Sequence, residues 1–177
     1  MKKRNLTLYS LVILVFLGAI SLGVWQYTRI NSGSKHPVSE KLFSQNKWVN
    51  APQVRFKVLK VVTATGAAEK RATVTMRIKQ LAPGNYGAMK GNSNILNSIW
   101  INIPYGFSNM SPWMKNTDGT RFTLKELDNG KDQVAKFYFT TPSFNYKYRD
   151  APARLSILIP DNAKFDHYTK YSMLVDL

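Results

Sequence analysis

The 177-residue chain contains no cysteine. That absence excludes a disulfide framework, thiol catalysis, a lipid-bearing cysteine and cysteine-ligated zinc or iron–sulfur centres. Histidine is nearly as scarce, with His36 and His167 alone. One lies in a polar stretch and the other beside Asp166 near the C-terminal end, so the two do not easily meet. No Gly-x-Ser-x-Gly turn exists to present a nucleophile. Acidic residues number ten and sit mostly at turn positions, among them Asp118, Asp128, Asp132, Asp150 and Asp161. The segment DNGKD at 128–132 offers too few alternating carboxylates for a calcium loop and brings in Lys131. The expectation is a protein that is not an enzyme and needs no cofactor or metal. Only the Asp166–His167 pair stands as a place where acid–base chemistry would have to reside.

Long apolar runs are also rare, with a single exception at the N-terminus. From Asn5 to Thr28 there are 24 consecutive uncharged residues, dominated between Leu6 and Trp25 by Leu, Val, Ile, Phe, Gly and Ala. About 20 such residues make a helix that crosses the ~30 Å hydrocarbon core. Residues 1–4, MKKR, form a basic tip that holds the N-terminal end in the cytoplasm while the rest is exported. Two outcomes compete for this run. Ser21 and Gly23 are small residues placed as a signal-peptide cleavage site requires, which would leave a secreted protein. Against cleavage, the run continues to Trp25 and Tyr27 before Arg29, an interfacial aromatic belt with a cationic stop. The favoured reading is a single-pass signal anchor over residues 5–28, N-terminus inside and the remainder extracellular.

Negative charge is what the rest of the chain has least of. Setting aside the three cations of the basic tip leaves 22 Lys and Arg against 10 Asp and Glu, a net of about +12. Such a charge attracts polyanions and anionic headgroups, with an attraction that salt weakens. Residues 29–47 are polar, carry Gly and Pro and hold no sustained period, so they read as a linker with a short helical turn from Ser39 to Ser44. Residues 48–177 have the length of one ordinary domain.

From Trp48 onward the hydrophobic period is two. QVRFKVLKVVTAT sets Val54, Phe56 and Val58 against Arg55 and Lys57, and RATVTMRIKQ sets Ala72, Val74, Met76 and Ile78 against Arg71, Arg77 and Lys79. Alternation with β-branched residues marks half-buried strands, apolar face inward and cationic face in water. These two are expected to form a hairpin across residues 66–70. SIWINIP, TRFTL after the turn signal NTDG, QVAKFYFTT, ARLSILIP and YTKYSMLVDL complete about seven strands with no helix-period segment between them. The pattern predicts an all-β antiparallel sandwich, with an oligonucleotide-binding-type barrel as the second choice.

Two long loops, 82–97 and 104–118, carry Tyr86, Met89, Tyr105, Phe107, Met110, Trp113 and Met114. Loops of that length and composition either bind something or fold back to plug the open end of a sandwich. A third aromatic stretch, SFNYKYRDAPARL at 143–155, interleaves Tyr146 and Tyr148 with Lys147 and Arg149. Stacking rings between cations suit single-stranded nucleic acid, and the same alternation also makes a plain strand edge.

The segments VRFKVLKVV, RATVTMRIK, DG leading into TRFTL, AKFYFTTP and a closing hydrophobic strand together resemble the telokin-like immunoglobulin-type domain family of bacterial secreted and membrane-attached proteins. The resemblance spans about residues 48–177 and implies an immunoglobulin-like β-sandwich behind an export signal, with no catalytic residues to carry over. The chain departs from the family in lacking a lipobox cysteine and in having Gln80-Leu81-Ala82-Pro83 where an Asn-rich strand end is expected. The resulting expectation is a membrane-anchored extracytoplasmic binding or assembly module. Its contacts would be Arg55, Lys57, Arg71, Arg77, Lys79, Tyr146, Lys147, Tyr148, Arg149 and Trp113. The partners expected are the membrane, through the helix, and an anionic wall polymer, lipid headgroups or an acidic protein; nucleic acid is the less expected ligand. The alternative is an accessory subunit of a conjugation, secretion or DNA-uptake complex, in which the small-residue face from Gly18 to Gly23 packs on another helix.

Overall fold

A computed structural model describes residues 2–31, 38–103, 107–146 and 151–177. The chain divides into two compact units, residues 1–37 and residues 38–177. The first is one helix, α1 (Lys2–Asn31). Its stretch Leu11–Ile30 has 20 residues, a mean hydropathy of 1.9 and no buried part. At about 1.5 Å rise per residue this length matches the hydrocarbon thickness. By length and composition it can cross a membrane, a property that anchors and signal sequences share. Near its end the Arg29 guanidinium sits 5.3 Å from the centroid of the Trp25 ring. The Thr28 hydroxyl donates to the Trp25 carbonyl at 2.9 Å.

The second unit is built from strands β1 (Val38–Leu42), β2 (Val49–Asn50), β3 (Val54–Thr65), β4 (Glu69–Gln80), β5 (Ile99–Ile103), β6 (Phe107–Met110), β7 (Met114–Lys115), β8 (Gln133–Pro142), β9 (Ala153–Pro160) and β10 (Tyr168–Val175), with a short helix α2 (Leu124–Leu127). They form two five-stranded sheets, one in the order β1-β10-β9-β5-β6 and one in the order β2-β3-β4-β8-β7. Every pairing is antiparallel except β1 with β10. The core lies between the sheets. On one side Phe56, Val74, Met76, Ile78 and Phe137 are fully buried, and on the other Ile99, Ile101, Leu155, Ile157 and Ile159. The Phe56 ring stands edge-on to Phe43 at 5.5 Å and to Tyr171 at 5.7 Å, tying the sheets together.

The β3–β4 hairpin forms as the alternation predicts, with Arg55 opposite Lys79 and Lys57 opposite Arg77. A bulge between Val58 and Lys60 shifts the register by one residue, so that Val61 takes over the inward parity and Lys60 the outward one.

Three expectations are corrected. The described residues contain ten strands rather than about seven, because short edge strands add to the long ones. The expected linker 29–47 contains β1, and Ser39–Ser44 begins as strand rather than helical turn, with Ser39 opposite Thr169 in β10. TRFTL is not a strand: Arg121 makes an isolated bridge to Lys115, and Thr123 precedes α2. There the Glu126 carboxylate accepts from the Thr123 backbone N–H at 2.5 Å and from its hydroxyl at 2.8 Å, closing the helix start. Those two bonds, followed by one from Asn116, hold the Glu126 carboxyl below the usual carboxylate range.

The loop 82–97 folds back into the sandwich end. Tyr86 and Ile95 are fully buried, and the Tyr86 hydroxyl donates to Gln80 Oε1 at 2.7 Å. Burial pushes the Tyr86 hydroxyl upward in pKa. Gly84 permits the fold-back, since a Cβ there would lie 2.7 Å from the Asn92 carbonyl oxygen.

Candidate functional site

Because side chains alternate along a strand, every residue that the β2-β3-β4-β8-β7 sheet (sheet two) turns away from the core shares one surface. The β pairings place these outward residues in rows. One row runs Asn50, Arg55, Lys79. The next runs Lys57, Arg77, Val134, and a third runs Lys60, Thr75, Lys136, Lys115. Three cation pairs therefore stand directly opposite each other across neighbouring strands: Arg55 with Lys79, Lys57 with Arg77, and Lys136 with Lys115. Lys60 adds a seventh positive charge.

Among the described residues the ion pairs are Arg71 with Glu69, and Glu40 with Arg154 (3.1 Å) and Lys170 (3.3 Å). None of them reaches these seven cations. Like charges directly opposite on a sheet destabilise it by roughly 0.2–1 kcal/mol per pair. Four of the seven are instead held by an aromatic ring or a carbonyl. The Arg55 guanidinium lies 3.9 Å and the Lys57 ammonium 5.0 Å from the centroid of Trp48. Lys115 Nζ is 5.8 Å from the Tyr138 ring, and Lys136 Nζ donates to the Thr117 carbonyl at 3.1 Å. Cation–π contacts order a charge without neutralising it. Arg55, Lys57, Arg77, Lys79, Lys115 and Lys136 are all half-buried.

Of the expected site residues, Arg55, Lys57, Arg77 and Lys79 are brought together on this surface. Arg71 shares the face, but its own partner Glu69 neutralises it. Along β4, Thr73 and Thr75 separate it from Arg77, a distance of about 20 Å. Trp113 is half exposed and tilts against Tyr138 with ring centroids 6.5 Å apart, so it borders the cationic face. Tyr146 does not belong to the cluster. It lies in a 3₁₀ turn, Ser143–Tyr146, packs partly against the core and receives Lys70 Nζ at 4.5 Å from its ring centroid. Lys147, Tyr148 and Arg149 lie outside the described residues, as does Tyr105. In the other long loop Met114 is buried while Met110 is exposed, and Met89 is exposed in the first.

Sequence reasoning missed Lys60, Lys115, Lys136, Trp48 and Tyr138. The bulge hides the parity of Lys60, and Lys115 joins the face only through the pairing of β7 with β8. Trp48 was legible as the residue where the period changes, not as a platform for Arg55. At the expected acid–base pair, the Asp166 carboxylate accepts from Asn162 Nδ2 at 2.6 Å, and that bond holds its carboxyl below the usual range. Among the described residues no group of three or more His, Asp or Glu side chains is placed to hold a metal ion.

No family model matches the chain, and no curated protein matches it. The resemblance to the telokin-like immunoglobulin-type family thus rests on the quoted segments alone, one of which is not a strand. Among solved structures the chain is similar to the crystal structure of an uncharacterized β-sandwich protein from Clostridium difficile 630. The TM-score is 0.54 at 15% sequence identity, covering 80% of this chain and 98% of that one. A likeness at that identity speaks to the fold alone: the chain is a mostly β protein whose two sheets make a β-sandwich, preceded by one N-terminal apolar helix.

Proposed function

We propose that this protein is a membrane-anchored, extracytoplasmic binding module whose cationic sheet face holds a linear, phosphate-bearing polymer of the cell envelope. One observation carries the reading: three cation pairs face each other on one surface and, among the described residues, none of the six makes an ion pair, Asp118 acting on Lys136 only from beyond ion-pair distance. A fold that keeps such a repulsion gains when an anion enters between the pairs. The spacing supports a polymer. Outward cations repeat at about 4.8 Å across strands and about 6.8 Å along them, so a single extended chain meets one cation after another. Cations that are half-buried offer a flat bilayer less contact than a flexible chain can make by settling among them.

The helix α1 supplies the anchor, with the basic tip inside and Trp25, Tyr27 and Arg29 at the outer interface. The sandwich itself is read as immunoglobulin-like. Strands β3-β4-β8-β7 follow the A-B-E-D order, and β10-β9-β5-β6 the G-F-C-C′ order, of that fold.

The test uses the full chain in nanodiscs of neutral lipid, with fluorescent long-chain polyphosphate as the probe. Binding that falls about tenfold or more on replacing Arg77→Glu together with Lys79→Glu supports the reading. Equal binding by that variant, or preference for phosphatidylglycerol vesicles over polyphosphate, refutes it. Loss of cellular function on exchange of α1 for an unrelated helix, with charge reversal harmless, would favour the accessory subunit of a membrane complex.

A further inference from the structure

A second surface lies where the sandwich leaves two strand edges open. The hairpin ladder is fixed at its tip by the Gly66 N–H, which donates to the Glu69 carbonyl at 2.8 Å. Antiparallel alternation then turns the N–H and C=O of Thr65, Thr63 and Val61 away from β4. On that side β2 pairs only with Arg55 and Phe56. The Asn46 N–H and the Gln45 side chain cover the carbonyls of Val58 and Leu59. From Lys60 to Thr65 no strand among the described residues lies along the edge. Across from it β10 runs on to Val175, although its pairing with β1 ends at Ser172. Between the two edges is an open groove of about 580 Å³ walled by Phe43, Val61, Thr63, Met173 and Val175.

Exposed edges are ordinarily blunted by proline, inward charge or cover. KVVTAT at 60–65 has no proline, one lysine and four β-branched residues. The residues that cover the earlier part of β3, Gln45 and Asn46, reach Val58 and Leu59 at the bulge that precedes it.

We propose that the β3 edge at Lys60–Thr65 is a strand-addition site for an extended, acidic segment of a protein partner, sharing only Lys60 with the cationic face. The unpaired main-chain groups at every second residue call for a strand. Its alternate residues enter the groove against Phe43, Val61 and Met173 and are apolar there; Asp176 at the groove repels acid on that side. The intervening residues lie beside Lys60 and Val62 on the outer face, where a carboxylate meets Lys60 and the net charge of about +12. A second copy is disfavoured as the occupant because two such cationic domains repel.

The test uses the full chain in neutral-lipid nanodiscs and a labelled hexapeptide of alternating valine and glutamate, with hydrogen exchange to locate it. The expected result is binding with protection confined to residues 60–65 and 173–176. Thr63→Pro removes an outward N–H without touching the β3–β4 ladder and is expected to weaken binding about tenfold. Its thermal midpoint should stay near that of the parent. Lys60→Glu should transfer the preference to a valine–lysine peptide. A peptide N-methylated at its pairing amides should not bind, a check independent of any protein variant. Binding by Thr63→Pro or by the N-methylated peptide as tight as the parent interaction overturns the proposal. So does protection at Arg77–Lys79 instead, or no binding at ~1 mM peptide.

Discussion

Replacing Arg77→Glu separates the cost of the cationic face from its use. Arg77 faces Lys57 directly and is flanked along β4 by Lys79. Two unit charges about 6 Å apart in water interact by ~0.7 kcal/mol, and a Debye length of ~8 Å at physiological salt cuts this roughly in half. Changing the sign turns a repulsion of ~0.3 kcal/mol into an attraction of similar size, and the neighbouring cations add a comparable amount. The variant is therefore more stable by about 0.5–1 kcal/mol, a rise in melting temperature of roughly 2–4 °C for a domain of this size. The gain should be largest in low salt and nearly vanish at 1 M, where the screening length is ~3 Å. Thermal unfolding of the full chain in detergent, followed by circular dichroism across a salt series, measures it. A variant that is less stable than the parent at low salt, or whose shift ignores salt, would mean that the facing cations do not repel. The facing cations would then gain nothing from an anion between them.

Three further outcomes follow from the packing. Phe56→Ala removes the ring that meets both Phe43 and Tyr171 and should cost about 3–5 kcal/mol in denaturant unfolding. Gly84→Ala pushes a methyl group against the Asn92 backbone and should lower the melting temperature, with faster exchange of residues 84–95; an unchanged midpoint would mean that the loop does not seal the sandwich end. Glu40 ties β1 to β9 and β10, and its carboxyl is held below the usual range by the Ser172 hydroxyl, then by Lys170 and Arg154. Its contribution is complete above the unfolded value near 4.5 and is lost as pH falls through the lower folded value. Amides of residues 38–42 should consequently lose protection as the pH falls below the unfolded value near 4.5, and Glu40→Gln should remove that pH dependence.

Strands with one dry face were legible in the sequence, and those without one were not. β3, β4, β5 and β8 alternate Val, Phe, Met or Ile with polar residues, and their buried positions follow that alternation. VSEKL forms β1 although all five residues are exposed, because its stability comes from main-chain pairing with β10, which leaves no hydrophobic period to read. TRFTLKEL carries Thr and Phe as a strand does, and T-L-K-E within it is a helix-start signature that outweighed them. The four cations Arg55, Lys57, Arg77 and Lys79 were placed on one face by parity alone. Lys60 needed the bulge, Lys115 needed a pairing with Lys136, 21 residues further on, and the neutralisation of Arg71 by Glu69 depends on how the hairpin tip closes.

The central claim is that the facing cations of sheet two bind an anionic polymer. Its most direct test is the salt dependence of polyphosphate binding by the full chain, compared with a variant in which Arg55, Lys57, Arg77 and Lys79 are all replaced by Gln. The claim predicts a steep linear fall of log affinity with log salt for the parent, and a slope shallower by about 3–4 for the variant, one unit for each phosphate contact removed. Equal slopes for the two proteins, or no binding by the parent at low salt, would contradict it.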